Sequence, residues 1–301
     1  MSGMQTTPQN GAGVGQQLFD PSAFLARQSL TELNGRDRAQ ALLDTGTYRE
    51  LLGPFDRLES PWLTMQGVVP QSDDGLIVAR GEIGGKSSAI LSIEGQFQGG
   101  STGEVAGAKI AATLDLARAD TEKGNPIQVV LLLETGGVRL QEANLGLEAI
   151  AEINSSLIAL RRYVPVVGVI AGMVGCFGGM SITASLCSYL VMTRAGRLGL
   201  NGPEVIEEQS GIEEFDSKDR QLVWAVMGGE QRSATGFADY LVEDDVTAIK
   251  NCIVDAFARG LPLQHRSELV EENLHRLSAI DGSRQLTSGE VRELLSKGER
   301  L

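Results

Sequence analysis

The sequence predicts an α/β protein: one domain built on a parallel, helix-covered sheet, with a helical C-terminal region. Three observations carry that prediction. Apolar runs of strand length alternate with amphipathic stretches of helix length, and the connections between them are short. Glycine is frequent, 37 of 301 residues, yet apolar residues still make up 42%, so the glycines belong to turns rather than to a low-complexity chain. A length of 301 residues suits one large domain with a tail and is short for two ordinary domains plus linkers.

Taken in order, residues 1–17 are rich in Gln, Thr and Gly without periodicity and read as a flexible leader. In 18–56 the spacing of Leu30, Leu33, Leu42, Leu43, Leu51 and Leu52 predicts helical pieces packed on the domain edge. The main domain is assigned to 57–260. It opens with strands at Leu76–Ile83 and 87–93, joined as a hairpin through Gly84-Gly85-Lys86. Ser101 and Glu104 have the spacing of a capping box, which predicts a helix over 102–119. The alternation continues with a strand at 127–133, a helix over 142–161, a strand at 166–171, a helix at Gly178–Leu186 and a strand at Tyr189–Thr193. Pro203 suits the first position of a further helix. The remainder reads as mainly helical, with the charged 204–220 segment a solvated face and 261–301 a helical tail.

A formal charge of −13 and a pI near 4.7 argue against a nucleic-acid surface, which needs a basic stripe. Cys176, Cys187 and Cys252 form no Cys-x-x-Cys pair, so a zinc ribbon or a full disulfide framework is not expected. The first residues lack the pattern of a secretory signal. The longest apolar run, 164–174, is broken by Pro165, Gly168 and Gly172 and falls short of the roughly 20 residues of a membrane span. A soluble cytoplasmic protein with reduced thiols is the expectation.

The chemistry is concentrated in two glycine pairs that follow apolar strands, Gly136-Gly137 and Gly178-Gly179. Glycine reaches positive φ and lets a ligand approach the main chain, so such pairs can turn N–H groups toward an anionic oxygen. A helix start after each would add its partial positive charge. Competing chemistries lack their residues. His265 and His275 lie far in sequence from both pairs, Gly179-Met180-Ser181-Ile182-Thr183 lacks the last glycine of a nucleophile elbow, and Gly85-Lys86-Ser87 is preceded and followed by the wrong elements for a phosphate loop. Gly11 to Gly15 has no preceding strand, and Gly172, Gly175 and Gly178 have the wrong first interval for a dinucleotide fingerprint. Cys176 reads as a small buried apolar residue. Glu134, Arg139, Gln141 and Glu142 flank the first pair and either line a mouth or cap the following helix. Val138, Met173, Val174, Phe177 and Met180 are candidate walls or ordinary core. A site made mostly of backbone suits stabilisation of a thioester enolate.

Four ordered motifs, Gln98-Gly99-Gly100-Ser101-Thr102-Gly103, Gly136-Gly137-Val138-Arg139-Leu140-Gln141-Glu142, Gly178-Gly179-Met180-Ser181 and Gly202-Pro203-Glu204-Val205-Ile206-Glu207, resemble the biotin-dependent carboxyltransferase subunits of the crotonase superfamily over 57–242. Within that group the wording from Leu133 to Asn144, and the absence of a four-cysteine zinc ribbon, are similar to the β subunits of biotin-independent malonate decarboxylases. The resemblance implies a crotonase-like ββα superhelix, a homologous γ subunit, an acyl carrier protein and an acyl carrier protein transferase as partners, and no membrane or nucleic acid. It implies decarboxylation of a malonyl thioester to acetyl thioester and CO2, with no intrinsic cofactor and no metal, the substrate riding on a phosphopantetheine-like arm. By the same resemblance, Gly178 and Gly179 would be the catalytic oxyanion donors, and Gly136 and Gly137 would shape the substrate pocket and could supply a further N–H; Val138, Phe177 and Met180 are read beside them as substrate-binding walls. Three alternatives stay open: a carboxyltransferase subunit that passes the carboxyl to biotin, a crotonase-type hydratase or isomerase, and a non-catalytic scaffold for the γ subunit.

Overall fold

The computed structural model describes residues 26–278, 280, 281, 283, 284 and 286–296; the predicted leader at 1–17 lies outside them. Seven strands form one sheet in chain order: β1 Arg49–Leu51, β2 Leu76–Ile83, β3 Lys86–Ile93, β4 Gln128–Leu132, β5 Val166–Ile170, β6 Tyr189–Thr193 and β7 Tyr240–Val242. β1, β2 and β3 pair antiparallel, and β3 through β7 pair parallel.

The burial of β4, β5 and β6 explains the continuous apolar runs of the sequence, because every residue in them is buried and both faces are covered. The period of two sorts their side chains between two cores. Val129 and Leu131 face one core, shared with Ile110 and Leu114 of the Glu104–Glu122 helix and Ile153 and Leu157 of the Asn144–Leu160 helix. Val130 and Leu132 face the other, shared with Ala39 and Leu42 of the Gly35–Leu42 helix and Ile249 and Ile253 of the Val246–Arg259 helix. The first helix pair packs backbone-close: a Cβ on Gly107 would stand 2.3 Å from the Ala149 Cβ.

Between strand and helix, each repeat inserts a short extended segment. These segments pair with one another through single parallel bridges, Thr102 with Val138, Thr135 with Cys176 and Cys176 with Leu198. The unit is therefore strand, short strand, helix, the expected crotonase-like ββα superhelix. Its consequence is that the strand ends carrying both glycine pairs lie side by side.

Several expectations need correction. Among the described residues, 26–56 contribute one α-helix, Gly35–Leu42, a 3₁₀ turn at Pro54–Asp56 and also the edge strand β1, whose polar Arg49 and Glu50 hid a strand inside a leucine spacing that suggests helices. β7 was hidden in a region that reads as mainly helical. Ser101 and Glu104 form no capping box: Gly103 is the N-cap, and the first N–H, that of Glu104, is donated to Glu142 Oε2 at 2.5 Å. Glu104 itself accepts from Trp62 Nε1 at 2.8 Å. The helix predicted over 142–161 begins at Asn144, because Leu140–Glu142 forms a 3₁₀ turn and Ala143 takes φ 49°.

Candidate active site

The site is built where the two glycine pairs meet. Thr135 donates its N–H to the Gly175 carbonyl at 2.8 Å, and Phe177 returns one to the Thr135 carbonyl at 3.0 Å. One residue of each pair requires glycine: Gly137 at φ 109° and Gly178 at φ 56°. They also press against each other, since a Cβ on Gly137 would stand 2.9 Å from the Gly178 Cα. Beside them opens a cleft of about 560 Å³ lined by Gly136, Val138, Leu140, Val174, Phe177 and Gly178, with Arg197 and the 200–205 segment as the facing wall.

The direction of each N–H decides what this cleft can bind, and it removes Gly178 from the expected donors. The Gly178 N–H is donated to the Leu200 carbonyl at 2.8 Å, so it is spent within the fold. Gly136 donates to the Gly99 carbonyl at 2.9 Å, and Gly137 to Thr135 Oγ1 at 3.0 Å. Of the N–H groups on the glycine pairs and on Val138, two remain. Gly179 is in the first turn of the Gly178–Leu186 helix, where no intrahelical acceptor exists. Val138 bridges Thr102 through its neighbours, Thr102 donating to Gly137 and Arg139 to Thr102, which turns the Val138 N–H the other way. Among the described residues neither finds an acceptor. Gly178 borders both, a Cβ there standing 3.7 Å from the Val138 nitrogen. Val138 was expected as a wall; its backbone is the missed feature, because no sequence signal shows which way an amide points.

Other predicted residues divide. Phe177 lines the cleft, whereas Met180 is fully buried in the sheet core among aliphatic side chains and is not a cleft wall. Met173 is exposed rather than lining. Cys176 is buried, and that burial pushes its thiol well above the usual range, leaving it protonated. Arg197 was not anticipated. It lies over the rings of Phe177 and Trp224, at 5.8 and 4.7 Å, and its Nη2 reaches the Met173 and Val174 carbonyls, fastening the loop before the second glycine pair.

Arg139 and Glu142 neither line a mouth nor cap the following helix. Arg139 Nη1 contacts Asp74 Oδ1 at 2.7 Å and Glu142 Oε1 at 3.0 Å, with all three side chains fully buried. Arg139 Nη2 donates to the Ser101 carbonyl at 2.9 Å. The second oxygens of the two carboxylates accept the N–H groups of Glu104 and Ala106, capping the Glu104–Glu122 helix from outside it. Glu134 is also internal: its Oε2 accepts the Val174 N–H at 3.1 Å, and burial raises its carboxyl above the ordinary 4.5 despite the Arg38 charge and the donors around it. Among the described residues there is no cluster of metal ligands.

The carboxyl transferase domain matches residues 31–288, and the chain belongs to that family. Within the family it is malonate decarboxylase-like. It is 55% identical to a chain of the Pseudomonas malonate decarboxylase hetero-tetramer solved in complex with malonate, with a TM-score of 0.88, covering 91% of this chain and 100% of that one. A chain of the Pseudomonas malonate decarboxylase hetero-dimer is 50% identical, with a TM-score of 0.71 and coverage of 85% and 98%. The malonyl-S-ACP:biotin-protein carboxyltransferase of Malonomonas rubra is 42% identical over 236 residues, 75% of this chain and 74% of that protein. Against the methylmalonyl-CoA carboxyltransferase 12S subunit of Propionibacterium freudenreichii subsp. shermanii the identity is 28% over 240 residues, and the match spans 41% of that subunit.

Two variants test the internal framework. Arg139→Met leaves two buried carboxylates unpaired and is expected to cost about 3–5 kcal/mol in denaturant unfolding; an unchanged midpoint would contradict the network. For Glu134, a raised carboxyl binds its proton more tightly folded than unfolded, so its contribution to stability falls as pH rises from the ordinary 4.5 through the raised value. Glu134→Gln has no proton to lose. Its melting temperature relative to wild type should therefore climb with pH across that window, and a flat difference would show that Glu134 is not shifted.

Proposed function

We propose that this chain is the β subunit of a malonate decarboxylase, and that it stabilises the enolate formed when a malonyl thioester loses CO2. The observation that carries the reading is the pair of unspent N–H groups, Val138 and Gly179, on adjoining segments beside the cleft. The thioester oxygen would accept from both. As the carbon–carbon bond to the carboxylate breaks, its electron pair delocalises onto that oxygen, so donors fixed in place favour the transition state over the ground state. The helix beginning at Gly178 adds the partial positive charge of its N-terminus. The enolate carbon then takes a proton and acetyl thioester is left. No step in this scheme calls for a cofactor within the chain.

The substrate in this reading is malonyl carried on the phosphopantetheine-like arm of an acyl carrier protein, with a homologous γ subunit and a carrier protein transferase in the same complex. The Pseudomonas assemblies support a partner subunit. So does the cleft rim, where Leu140 and Leu200 leave large apolar surfaces exposed. A second reading, transfer of the carboxyl to a biotinyl protein, is favoured by what the Malonomonas relative is called. Direct release is preferred because the chain overlays the whole of the malonate decarboxylase chain at higher identity.

The test is CO2 release from a malonyl thioester by the chain co-expressed with its γ partner, in the presence of avidin. Avidin-insensitive release with accumulation of acetyl thioester is expected; release only after addition of a biotinyl carrier would move the protein to the biotin-dependent transferases. Gly179→Pro removes one donor and sets a ring against Ile150, whose Cγ2 stands 3.0 Å from a Cβ there, so its thermal unfolding is measured beside kcat, which is expected to fall by about 100- to 1000-fold. Full turnover in that variant would take the Gly179 N–H out of the mechanism.

A further inference from the structure

A second cavity, of about 280 Å³, shares Leu200 with the cleft. Ser181, Ile182 and Ser185 of the Gly178–Leu186 helix form one wall, the 198–200 segment another, and Arg232 and Phe237 close it. Most of that lining is apolar, which makes the one charged group in it conspicuous. Arg232 Nε is committed to the Leu198 carbonyl at 2.9 Å, and its Cζ lies 5.8 Å from the Phe237 ring centroid. Its two Nη groups have no acceptor, and no carboxylate pairs with them among the described residues. Neighbouring arginines differ: Arg194 pairs with Glu230 and Glu243, and Arg266 with Asp239.

A guanidinium keeps its charge in a protein, so the cavity holds a fixed cation with four outward N–H donors. Burial lowers the Arg232 pKa and no acid offsets it, which is the cost of keeping a charge without a counter-ion. The serine hydroxyls point their protons inward, Ser181 Oγ to the Gly178 carbonyl at 2.7 Å and Ser185 Oγ to the Ser181 carbonyl at 2.9 Å. Each therefore presents lone pairs to the cavity, ready to accept N–H or O–H groups.

We propose that this cavity is an anion subsite, binding a phosphate or carboxylate group joined to an apolar body, with the charge on the Arg232 Nη groups and the body against Ile182 and Phe237. Donor groups on the ligand would bond Ser181 and Ser185. A volume of 280 Å³ lies at the small end of ligand sites, which suits one segment of a longer molecule rather than a whole cofactor. Because Leu200 lines both, such a molecule would extend past it toward the cleft that Val138 lines, and in this respect the subsite rests on the proposed function.

Calorimetric titration of the co-purified complex with phosphopantetheine, inorganic phosphate and malonate tests this without reference to turnover. Phosphopantetheine affinity should fall by about tenfold or more in Arg232→Met and by less in Arg232→Lys, the charge-assisted hydrogen bonds being lost or weakened. Ser185→Asp places a carboxylate in the cavity while leaving Arg232 and its bond to Leu198 in place. It should abolish the same binding and raise the melting temperature. If inorganic phosphate or malonate shows the same dependence on Arg232, the anion is free in solution rather than part of an arm. If none of the three binds, or if binding survives both Arg232→Met and Ser185→Asp, the proposal is overturned.

Discussion

The buried contact of Arg139 with Asp74 and Glu142 is the constraint on which the site depends. Three segments far apart in the chain meet there: the turn before β2, the start of the Glu104–Glu122 helix and the loop that follows the first glycine pair. A buried guanidinium between two carboxylates is tolerable only when the remaining polar atoms are bonded. They are, because the carboxylates also cap the helix and Arg139 Nη2 reaches the Ser101 carbonyl. The loop carrying Val138 is thereby held on both sides, by Thr102 through the backbone and by Arg139 through charge. A donor that must not reorganise when charge develops needs that kind of support.

The two glycine pairs are related by the ββα repeat rather than by sequence distance. The single bridges from Thr135 to Cys176 and from Cys176 to Leu198 lay successive strand ends beside one another. Glycine is needed once in each pair for positive φ and again where main chains press together. Most N–H groups at this crossing are absorbed by the fold, to Gly99, Thr135 and Leu200. Those of Val138 and Gly179 are not among them, and the proposed chemistry of the cleft rests on that pair.

Much of the architecture was legible in the sequence. Tyr189–Thr193 and the Gly178–Leu186 helix were read to the residue, because long buried runs and a glycine start are strong local signals. β1 was not, since a three-residue polar edge strand has no period of its own. In the site, Gly136, Val138 and Phe177, expected to bind substrate, line the cleft, as does Gly178, expected as a donor. That the Gly178 N–H is spent within the fold was not legible, because an amide's direction depends on acceptors up to tens of residues away, here Leu200. Arg139 and Glu142 were ambiguous for the same reason, their partner Asp74 standing 65 residues before Arg139. Met180 shows the remaining limit: an apolar residue near a site looks the same in sequence whether it faces ligand or core.

The most direct test is a crystal structure of the complex with a non-hydrolysable malonyl thioester analogue. The account predicts its carbonyl oxygen within about 2.7–3.1 Å of the Val138 and Gly179 nitrogens, with the Gly178 N–H still on the Leu200 carbonyl. An oxygen bound instead by the Gly136 or Gly137 N–H, after release of Gly99 or Thr135, would contradict it.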